Sequence, residues 1–445
     1  MLRSFCTRPF TLAVADASRN QIAPGRTLVR LREFGATVVS LARACDDWAT
    51  LRVEAWARLR RSHAEFAFLV HPRTEDFWQG DVYGHHDTYR QYPALRWLGR
   101  ALGRSRAEAV IRAFARRAPP ITLSRIEVRH GGGVTKGLLL SSVRTPRDLF
   151  RGTGTRAHLV RLFALAARKG ASRVGLGALL PSLTRYGKVF QDQDWADRPA
   201  VSTGHGYTAH VIVDFLEALV AARCESGFTR VAIVGAAGST GTATARMLKA
   251  RWNSRGTTFV LVDVPSKRLK LQRIAAELRA NGLTVAISTD LHDLRSCPFV
   301  IVVTNAQGAI IRPEHIAPGT VIIDDSQPRN TAPEIVEAGA FVVDVLSKIR
   351  GLDCGFDFGF ATEDREVTFT CLAETVLAAI FGDGKDLAVG EVDDDVVTRV
   401  IELAKQAKHA GLVGALPLFS FGRELSSQER DELFMPPLPF VMAAD

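Results

Sequence analysis

Three glycines at regular spacing carry the clearest chemical signal in the sequence. Gly235, Gly238 and Gly241 lie in RVAIVGAAGSTGTATARML, where a strand-like apolar run leads directly into a helix-like segment. Glycines in this context permit a tight turn, a close backbone approach to a pyrophosphate, and close packing of helix on strand. The free N–H groups at the start of such a helix attract phosphates. The segment therefore predicts a dinucleotide-binding loop, with Gly235, Ala237, Gly238, Ser239, Thr240 and Gly241 as contacts.

An acidic residue follows the second apolar run, where a dinucleotide fold holds the adenosine ribose. Asp263 lies in FVLVDV, 22 residues after Gly241. A carboxylate there accepts hydrogen bonds from ribose hydroxyls and repels a 2′-phosphate, which favours NAD. Lys267 and Arg268 follow in the same loop and could instead accommodate the 2′-phosphate of NADP, or form a solvated helix start. The sequence predicts NAD(P)H and leaves NAD against NADP open.

The fourth apolar run ends in Thr304 and Asn305, where a dinucleotide domain usually contacts the nicotinamide half. The glycine run is not followed by the GKS or GKT of a phosphate-binding NTPase loop, so that class is not indicated.

Upstream loops add candidates for the reacting end of a substrate. Thr203, in VSTGHGYTAH, could bind a carboxamide or a carbonyl oxygen, or simply cap the following helix. The glycines of VGLGAL (174–179) fit either a backbone approach to a ligand or a bulge. His71 ends the short strand of LVHPR and could donate a proton to a developing alkoxide, or be a structural histidine.

Repeated apolar runs predict the elements that would position these residues. VAIV, FVLV, TVAI, FVIVV, VIID and FVVD recur between residues 228 and 346, separated by helical or loop-like stretches. Buried strands alternating with helices indicate a doubly wound parallel sheet, a Rossmann α/β domain. Ahead of it, 208–223 places Ile212, Phe215, Leu216 and Leu219 on one helix face.

The chain divides into five predicted parts. They are an extension (1–62), a first substrate or catalytic part (63–205), a connecting helix (206–227), the Rossmann domain (228–346) and a C-terminal helical part (347–445). Neither flanking part makes a complete sheet domain alone, so we expect the Rossmann unit to be inserted into a split α/β substrate domain.

Composition excludes several classes. The 445 residues are 47% hydrophobic and 23% charged, which is ordinary for a globular protein and not for a disordered one. No run approaches the roughly 20 apolar residues that span a bilayer, and the N-terminus does not look like a secretory signal. Six scattered cysteines without CxxC predict neither a disulfide framework nor a metal site, so we expect a cytoplasmic protein.

The net charge of +10 indicates an acidic partner. The basic residues are spread along the chain without aromatic interleaving, so no nucleic acid is expected as a partner.

The order of several segments resembles a known family. FAFLVHPR, VGLGAL, VSTGHGYTA, VAIVGAAGSTGTATARML, PGTVIIDDSQPRN and FDFGF…CLAETVLAAI occur in the order seen in the long-chain acyl-[acyl-carrier-protein] reductases and their bacterial relatives, over roughly 66–414. The nucleotide domain of that family is similar to that of shikimate dehydrogenases. The resemblance implies reduction of a fatty acyl thioester to an aldehyde with NADPH, with a cysteine thiolate taking the acyl group first.

One position departs from that family. Where the photosynthetic members carry the nucleophilic cysteine, this sequence has Thr320, whose hydroxyl is a poor nucleophile without an adjacent base. Another cysteine could serve: Cys354 in a glycine-containing loop is the more accessible candidate, Cys371 reads as a buried structural thiol, and Cys297 precedes a strand at the wrong end of the sheet. Hydride could instead pass directly to a bound carbonyl, or the substrate could be no thioester.

The leading hypothesis is an NAD(P)H-dependent reductase that converts an acyl thioester to an aldehyde, using His71, Thr203, and Cys354 or Thr320. An acidic acyl carrier protein could dock on the basic chain. The alternatives are a reductase of another small carbonyl, imine or hydroxy substrate by direct hydride transfer, and a non-catalytic nucleotide-binding protein.

Overall fold

The computed structural model describes residues 64–72, 100–117, 119–142, 144–195, 197–224, 229–253, 256–306, 308–327, 329–356 and 358–436. They all belong to one compact unit, Val53–Asp445. The predicted extension 1–62 and the helices expected within it lie outside the described residues.

The first sheet has six strands in the order β13-β2-β3-β1-β4-β5. Its strands are β1 (Phe66–Val70), β2 (Ile121–His130), β3 (Gly133–Ser141), β4 (Arg173–Leu176), β5 (Ala200–Ser202) and β13 (Leu352–Asp353). β2 and β3 form an antiparallel hairpin, whereas β3, β1, β4 and β5 run parallel. The carboxyl ends of those four parallel strands therefore lie along one edge.

The helices described between the strands of this sheet in the chain are α1 (Arg104–Arg117), α2 (Pro146–Arg151), α3 (Thr155–Arg168), α4 (Leu180–Leu183) and α5 (Lys188–Gln191). Leu162 and Phe163 of α3 pack with Leu138 and Leu140 of β3, which places α3 on one face of the sheet. The apolar stripe of α3 explains its place, because burying such a face drives helix packing.

A long helix, α6 (His205–Arg223), connects the two sheets. Its predicted apolar face, Ile212, Phe215, Leu216 and Leu219, is at most 1% exposed, so that prediction is confirmed. The helix begins three residues before the predicted start.

The second sheet is wholly parallel, with six strands in the order β11-β10-β9-β6-β7-β8. Its elements are β6 (Thr229–Val234), α7 (Ser239–Arg251), β7 (Thr257–Val262), α8 (Arg268–Ala280), β8 (Thr284–Ser288), β9 (Phe299–Val302), β10 (Val321–Asp324), α9 (Glu334–Glu337) and β11 (Phe341–Asp344). Numbered from β6, this is the order 3-2-1-4-5-6 of a Rossmann sheet, read from the other edge. The predicted α/β fold class is confirmed.

The C-terminal part returns to the first sheet. It consists of β12 (Leu346–Lys348), β14 (Val367–Phe369), α10 (Thr370–Phe381), α11 (Asp394–His409), β15 (Phe419–Ser420), β16 (Arg423–Glu424) and α12 (Ser427–Phe434). A Cβ on Gly175 of β4 would lie 1.9 Å from Oγ1 of Thr375, so α10 packs directly on that strand. A Cβ on Gly177 would lie 2.7 Å from the ring of Phe68. The VGLGAL glycines thus allow close packing, and a backbone approach to a ligand stays a prediction.

None of the described helices is both long and apolar enough to cross a bilayer.

Candidate functional site

The turn after β6 has room only for glycine at two positions. Gly235 has a φ of +84°, and a Cβ there would lie 2.8 Å from the carbonyl oxygen of Val303. A Cβ on Gly241 would lie 2.2 Å from the carbonyl oxygen of Gly235 and 2.6 Å from Cα of Ala236. The first glycine forms the tight turn, and Gly241 lets α7 pack against the strand end. These are the roles that a dinucleotide-binding turn assigns to its glycines.

The start of α7 presents backbone donors. Gly238 is its N-cap in an extended conformation, and no side chain caps the helix. The first turn, with Ser239 and Thr240, contains no acidic residue. The first N–H groups of a helix have no partner within it, so they can donate to an anion.

Asp263 binds the glycine turn directly. Its Oδ2 accepts from the backbone N–H of Ala237 at 2.9 Å, and its Oδ1 accepts from that of Val264 at 2.8 Å. An ionised carboxylate has about four lone-pair sites, so each oxygen can still accept from a ribose hydroxyl. Lys267 and Arg268 lie at the start of α8 with exposed side chains. Either cation could therefore reach a 2′-phosphate, and the geometry fits NAD or NADP.

The carboxyl end of β9 approaches the first sheet. The N–H of Val303 donates to the carbonyl of Val234 at 3.0 Å, which holds the strand end beside the glycine turn. Nδ2 of Asn305 then donates to Oγ of Ser182 in α4 at 3.2 Å. Thr304 lies between these two contacts, with its Cβ 3.0 Å from where a Cβ on Gly235 would lie. The end of β9 and the elements that follow β4 are therefore neighbours.

The loop between β5 and α6 holds Thr203 in internal hydrogen bonds. The Thr203 hydroxyl, 2% exposed, donates to the carbonyl of Ala388 at 2.5 Å. It lies 2.9 Å from Nδ1 of His205, so the ring nitrogen carries the proton and donates to it. Burial lowers the pKa of His205 to about 4, and the ring is neutral at neutral pH. Its Nε2 then carries a lone pair.

Glu374 of α10 accepts hydrogen bonds from that same loop, and it was not among the predicted site residues. Its buried carboxylate accepts from Oγ of Ser202 at 2.7 Å, the N–H of Gly204 at 2.8 Å and the N–H of Tyr207 at 2.7 Å. Burial raises its pKa, while those donors and Arg173 act in the opposite direction. One carboxylate therefore satisfies the backbone at the start of α6. The signal was available, because Glu374 is the charged residue of an otherwise apolar helix, CLAETVLAAI.

A second missed residue, Asp325, follows β10 at the carboxyl edge of the second sheet. Burial, and then the neighbouring Asp324, raise its pKa well above the ordinary 3.8, so it keeps its proton to higher pH than an exposed aspartate. Asp325 is close enough to Cys371 to raise the pKa of that thiol, which reaches about 12 chiefly through burial. A Cβ on Gly204 would lie 2.3 Å from that of Cys371. Cys371 therefore packs against the start of α6, and Asp325 acts electrostatically on its thiol.

His71 closes the carboxyl end of β1. Its ring is 4% exposed, Nδ1 lies 2.7 Å from the carbonyl oxygen of Pro72, and Nε2 lies 3.1 Å from the N–H of Leu179. The neutral ring with a proton on Nδ1 satisfies both contacts, donating to Pro72 and accepting from Leu179. In this arrangement the ring N–H already donates a hydrogen bond to a backbone carbonyl.

The structure does not bring Cys354 or Thr320 to this site. Cys354 was expected to be accessible, but it is 4% exposed, and burial raises its thiol pKa to about 12. It follows β13, at the opposite side of the first sheet from β5. Thr320 and Cys297, both buried, precede β10 and β9 at the amino edge of the second sheet, opposite the glycine turn.

No group of three or more His, Cys, Asp or Glu side chains within the described ranges could hold a metal ion.

No family model matches the chain. Solved structures of similar fold include the malic enzyme of Entamoeba histolytica, 14% identical over 89% of this chain and 74% of that one, with a TM-score of 0.39. Shikimate 5-dehydrogenase of Listeria monocytogenes, in complex with shikimate and NAD, is 9% identical over 63% and 86%, with a TM-score of 0.29. Δ1-Pyrroline-2-carboxylate reductase of Thermococcus litoralis, in complex with NADH and L-proline, is 20% identical over 29% of this chain, with a TM-score of 0.23. The match spans only 39% of that reductase.

Proposed function

We propose that this protein is an NAD(P)H-dependent reductase that converts an acyl thioester to an aldehyde, with hydride passing directly to the bound carbonyl. One observation carries the nucleotide half of the proposal. The parallel sheet of Rossmann order places a turn that admits only glycine at Gly235 and Gly241 beside Asp263, whose carboxylate is bonded to that turn. The unpaired N–H groups at the start of α7 would hold the pyrophosphate, and Asp263 the ribose.

The substrate would lie where the two sheets approach each other. Thr304 and Asn305 come from one sheet, and Thr203 and His205 from the other. When bound, the nicotinamide supplies a hydride, and a thioester consumes that hydride and one proton to give an aldehyde and a thiol. Burial raises the pKa of the Asp325 carboxyl, and Asp325 is close enough to act on the Cys371 thiol, so it is our candidate for the proton donor that carbonyl reduction requires.

The thiols favour direct transfer over an acyl-enzyme. A nucleophilic cysteine needs a lowered pKa, and positive neighbours or a base usually provide it. Cys371 is the described thiol closest to the junction, and both burial and the neighbouring Asp325 raise its pKa. Cys354 and Cys297 are buried elsewhere.

Nicotinamide absorbance provides the first test. Purified protein is mixed with NADH or NADPH and a panel of acyl thioesters, aldehydes and imines. The proposal predicts oxidation of one cofactor by thioesters, with an aldehyde as product. If no thioester oxidises either cofactor, the proposed activity is wrong.

A second test addresses the covalent step. Mass spectrometry of the protein with an acyl thioester and no cofactor should show no acyl adduct. The Cys371→Ala and Cys354→Ala proteins should keep kcat within a few-fold of wild type, with Cys224→Ala as a matched control. A trapped adduct on Cys371, together with an inactive Cys371→Ala protein that is folded, would establish the acyl-enzyme route instead.

The raised thiol pKa values of Cys297, Cys354 and Cys371 also favour a second candidate, a reductase of another small carbonyl or imine substrate. In that case aldehydes or imines, but no thioesters, would oxidise the cofactor in the same panel. Cofactor binding without any turnover would indicate a nucleotide-binding protein. An acidic acyl carrier protein as partner, and a cytoplasmic location, stay predictions.

A further inference from the structure

A cavity of about 660 Å³ lies at the first sheet, where α1 ends and α2 begins after β3. The residues of the described chain that line it include four arginines, Arg116, Arg144, Arg147 and Arg151, and one acid, Asp148. Nε of Arg116 donates to Oδ1 of Asp148 at 2.9 Å, whereas Oδ2 of Asp148 is buried without a hydrogen-bond partner among the described residues. The cavity therefore carries a net positive charge.

Arg144 is built into the wall of this cavity. The residue is 9% exposed, and its Nη2 donates to the carbonyl of Arg116 at 3.0 Å. Its backbone N–H donates to Oγ of Ser142 at 3.2 Å, and that hydroxyl also bonds Nε2 of His158 at 2.8 Å. Burial, followed by the nearby Arg144 and Arg161, lowers the pKa of His158 to about 4, so the ring adds no charge at neutral pH.

The Nε–H of Arg144 is buried and has no hydrogen-bond partner among the described residues. A guanidinium stays protonated in proteins, and an unpaired buried donor on a charged group is costly. Burial, and then Arg161, lower the pKa of Arg144, while Asp148 acts in the opposite direction and offsets only part of this effect. Such an arrangement is stabilised when an anion occupies the cavity, because the anion supplies both the acceptor and the countercharge.

The position and size of the cavity restrict what that anion belongs to. β3 is separated from β5 by β1 and β4, so the cavity lies three strand spacings, about 14 Å, from the end of β5 at Thr203. This is too far for the group that accepts hydride. The volume is in the range that holds a whole small molecule, and several arginines together match the oxygens of a phosphate.

We infer that the cavity around Arg144 is a binding site for the phosphate group of a larger organic molecule, distinct from the glycine turn. The phosphate belongs either to an arm of the substrate or to a separate phosphorylated molecule. Binding itself needs no turnover, so it can be tested whether or not the proposed reductase activity is correct.

Thermal unfolding with inorganic phosphate and pyrophosphate at constant ionic strength tests the site. A ligand that binds the folded state raises Tm with its concentration. Arg151→Ala removes an exposed cation without disturbing the core, and Arg144→Met removes the buried charge. Arg129→Ala is the matched control, because Arg129 is exposed at the other end of the β2–β3 hairpin.

The half-saturating concentration of pyrophosphate should rise about tenfold or more in Arg151→Ala and Arg144→Met, and should stay at the wild-type value in Arg129→Ala. Equal phosphate responses in all three variants and the wild type would overturn the inference, since the remaining binding would then be at the glycine turn.

Thioesters with and without a terminal phosphate on a pantetheine arm distinguish the two sources. If the phosphate belongs to the substrate, Arg151→Ala raises KM for the phosphorylated thioester by about tenfold and leaves KM for the unphosphorylated one unchanged. If a separate molecule fills the site, added pyrophosphate changes the kinetics of both thioesters alike in wild type and has no effect in Arg151→Ala. Either pattern supports a phosphate site at Arg144.

Discussion

The two six-stranded sheets use the carboxyl ends of their strands differently. At the second sheet, backbone N–H groups at the start of α7 are left without a partner in the helix, and a turn that admits only glycine exposes them. At the first sheet, the corresponding polar groups are bonded to one another, as in the contacts of His71 with Leu179 and of Thr203 with Ala388. Donors left open bind a ligand, whereas donors already satisfied give a fixed shape.

This contrast explains why the two edges would divide one task. The second sheet would hold a dinucleotide with its backbone, which needs little from individual side chains. The first sheet would present a rigid wall to the substrate, with Glu374 holding the start of α6 in place. The arginine cavity at the end of β3 is the exception on the first sheet, because Arg144 keeps an unpaired donor there.

The largest expected effect breaks the glycine turn. Gly241→Val adds a side chain whose Cβ would lie 2.2 Å from the carbonyl oxygen of Gly235, so α7 must move away from the turn. We expect dinucleotide affinity, measured by fluorescence titration, to fall at least 100-fold. Gly131→Ala is the control, because a Cβ there meets nothing within 4 Å. Unchanged affinity in Gly241→Val would remove the nucleotide site from this turn.

Removal of Glu374 tests whether the first edge depends on internal bonds. Glu374→Ala leaves the N–H groups of Gly204 and Tyr207 buried without an acceptor, and we expect a loss of about 3 kcal/mol in the free energy of unfolding. Urea unfolding measures it, with the exposed Glu402→Ala of α11 as control. A loss equal to that of the control would mean that the loop does not need the carboxylate.

Acid should weaken the first edge through His158. Its pKa in the folded protein is about 4, below the ordinary 6.5, so the folded state disfavours the protonated ring. The stability that results is fully present above pH 6.5 and is lost as the pH falls towards 4, by about 3 kcal/mol in total. The difference in unfolding free energy between wild type and His158→Asn should therefore shrink over that range. A difference that stays constant over this pH range would mean that His158 does not cause the acid sensitivity.

The smallest expected effect concerns cofactor choice. Asp263→Ser removes the carboxylate that would repel a 2′-phosphate, while Lys267 and Arg268 remain. The ratio of the Kd for NADP to the Kd for NAD should fall about tenfold, even though both affinities weaken with loss of the bond to Ala237. Arg268→Ala should move the ratio the other way. A ratio that neither variant changes would place the adenosine ribose elsewhere.

Sequence patterns predicted the strands and helices more accurately than they predicted which side chains are accessible or in contact. Each apolar run from VAIV to FVVD is a strand of the second sheet, because strands covered on both faces need uninterrupted apolar residues. The helix at 208–223 also follows from its apolar face. The expected accessibility of Cys354 was wrong, since accessibility depends on segments far away in sequence.

The sequence by itself determined the order of the elements and the glycine turn, because backbone conformation and apolar periodicity are local properties. Only the tertiary structure decided which polar groups remain open. Glu374 accepts a hydrogen bond from the N–H of Gly204, which lies 170 residues away in the sequence. Asp325 raises the pKa of the Cys371 thiol, although the two residues belong to different segments. Burial and long-range neighbours set both the pKa of a carboxyl and the partner of a donor, and neither can be read from residues adjacent in the chain.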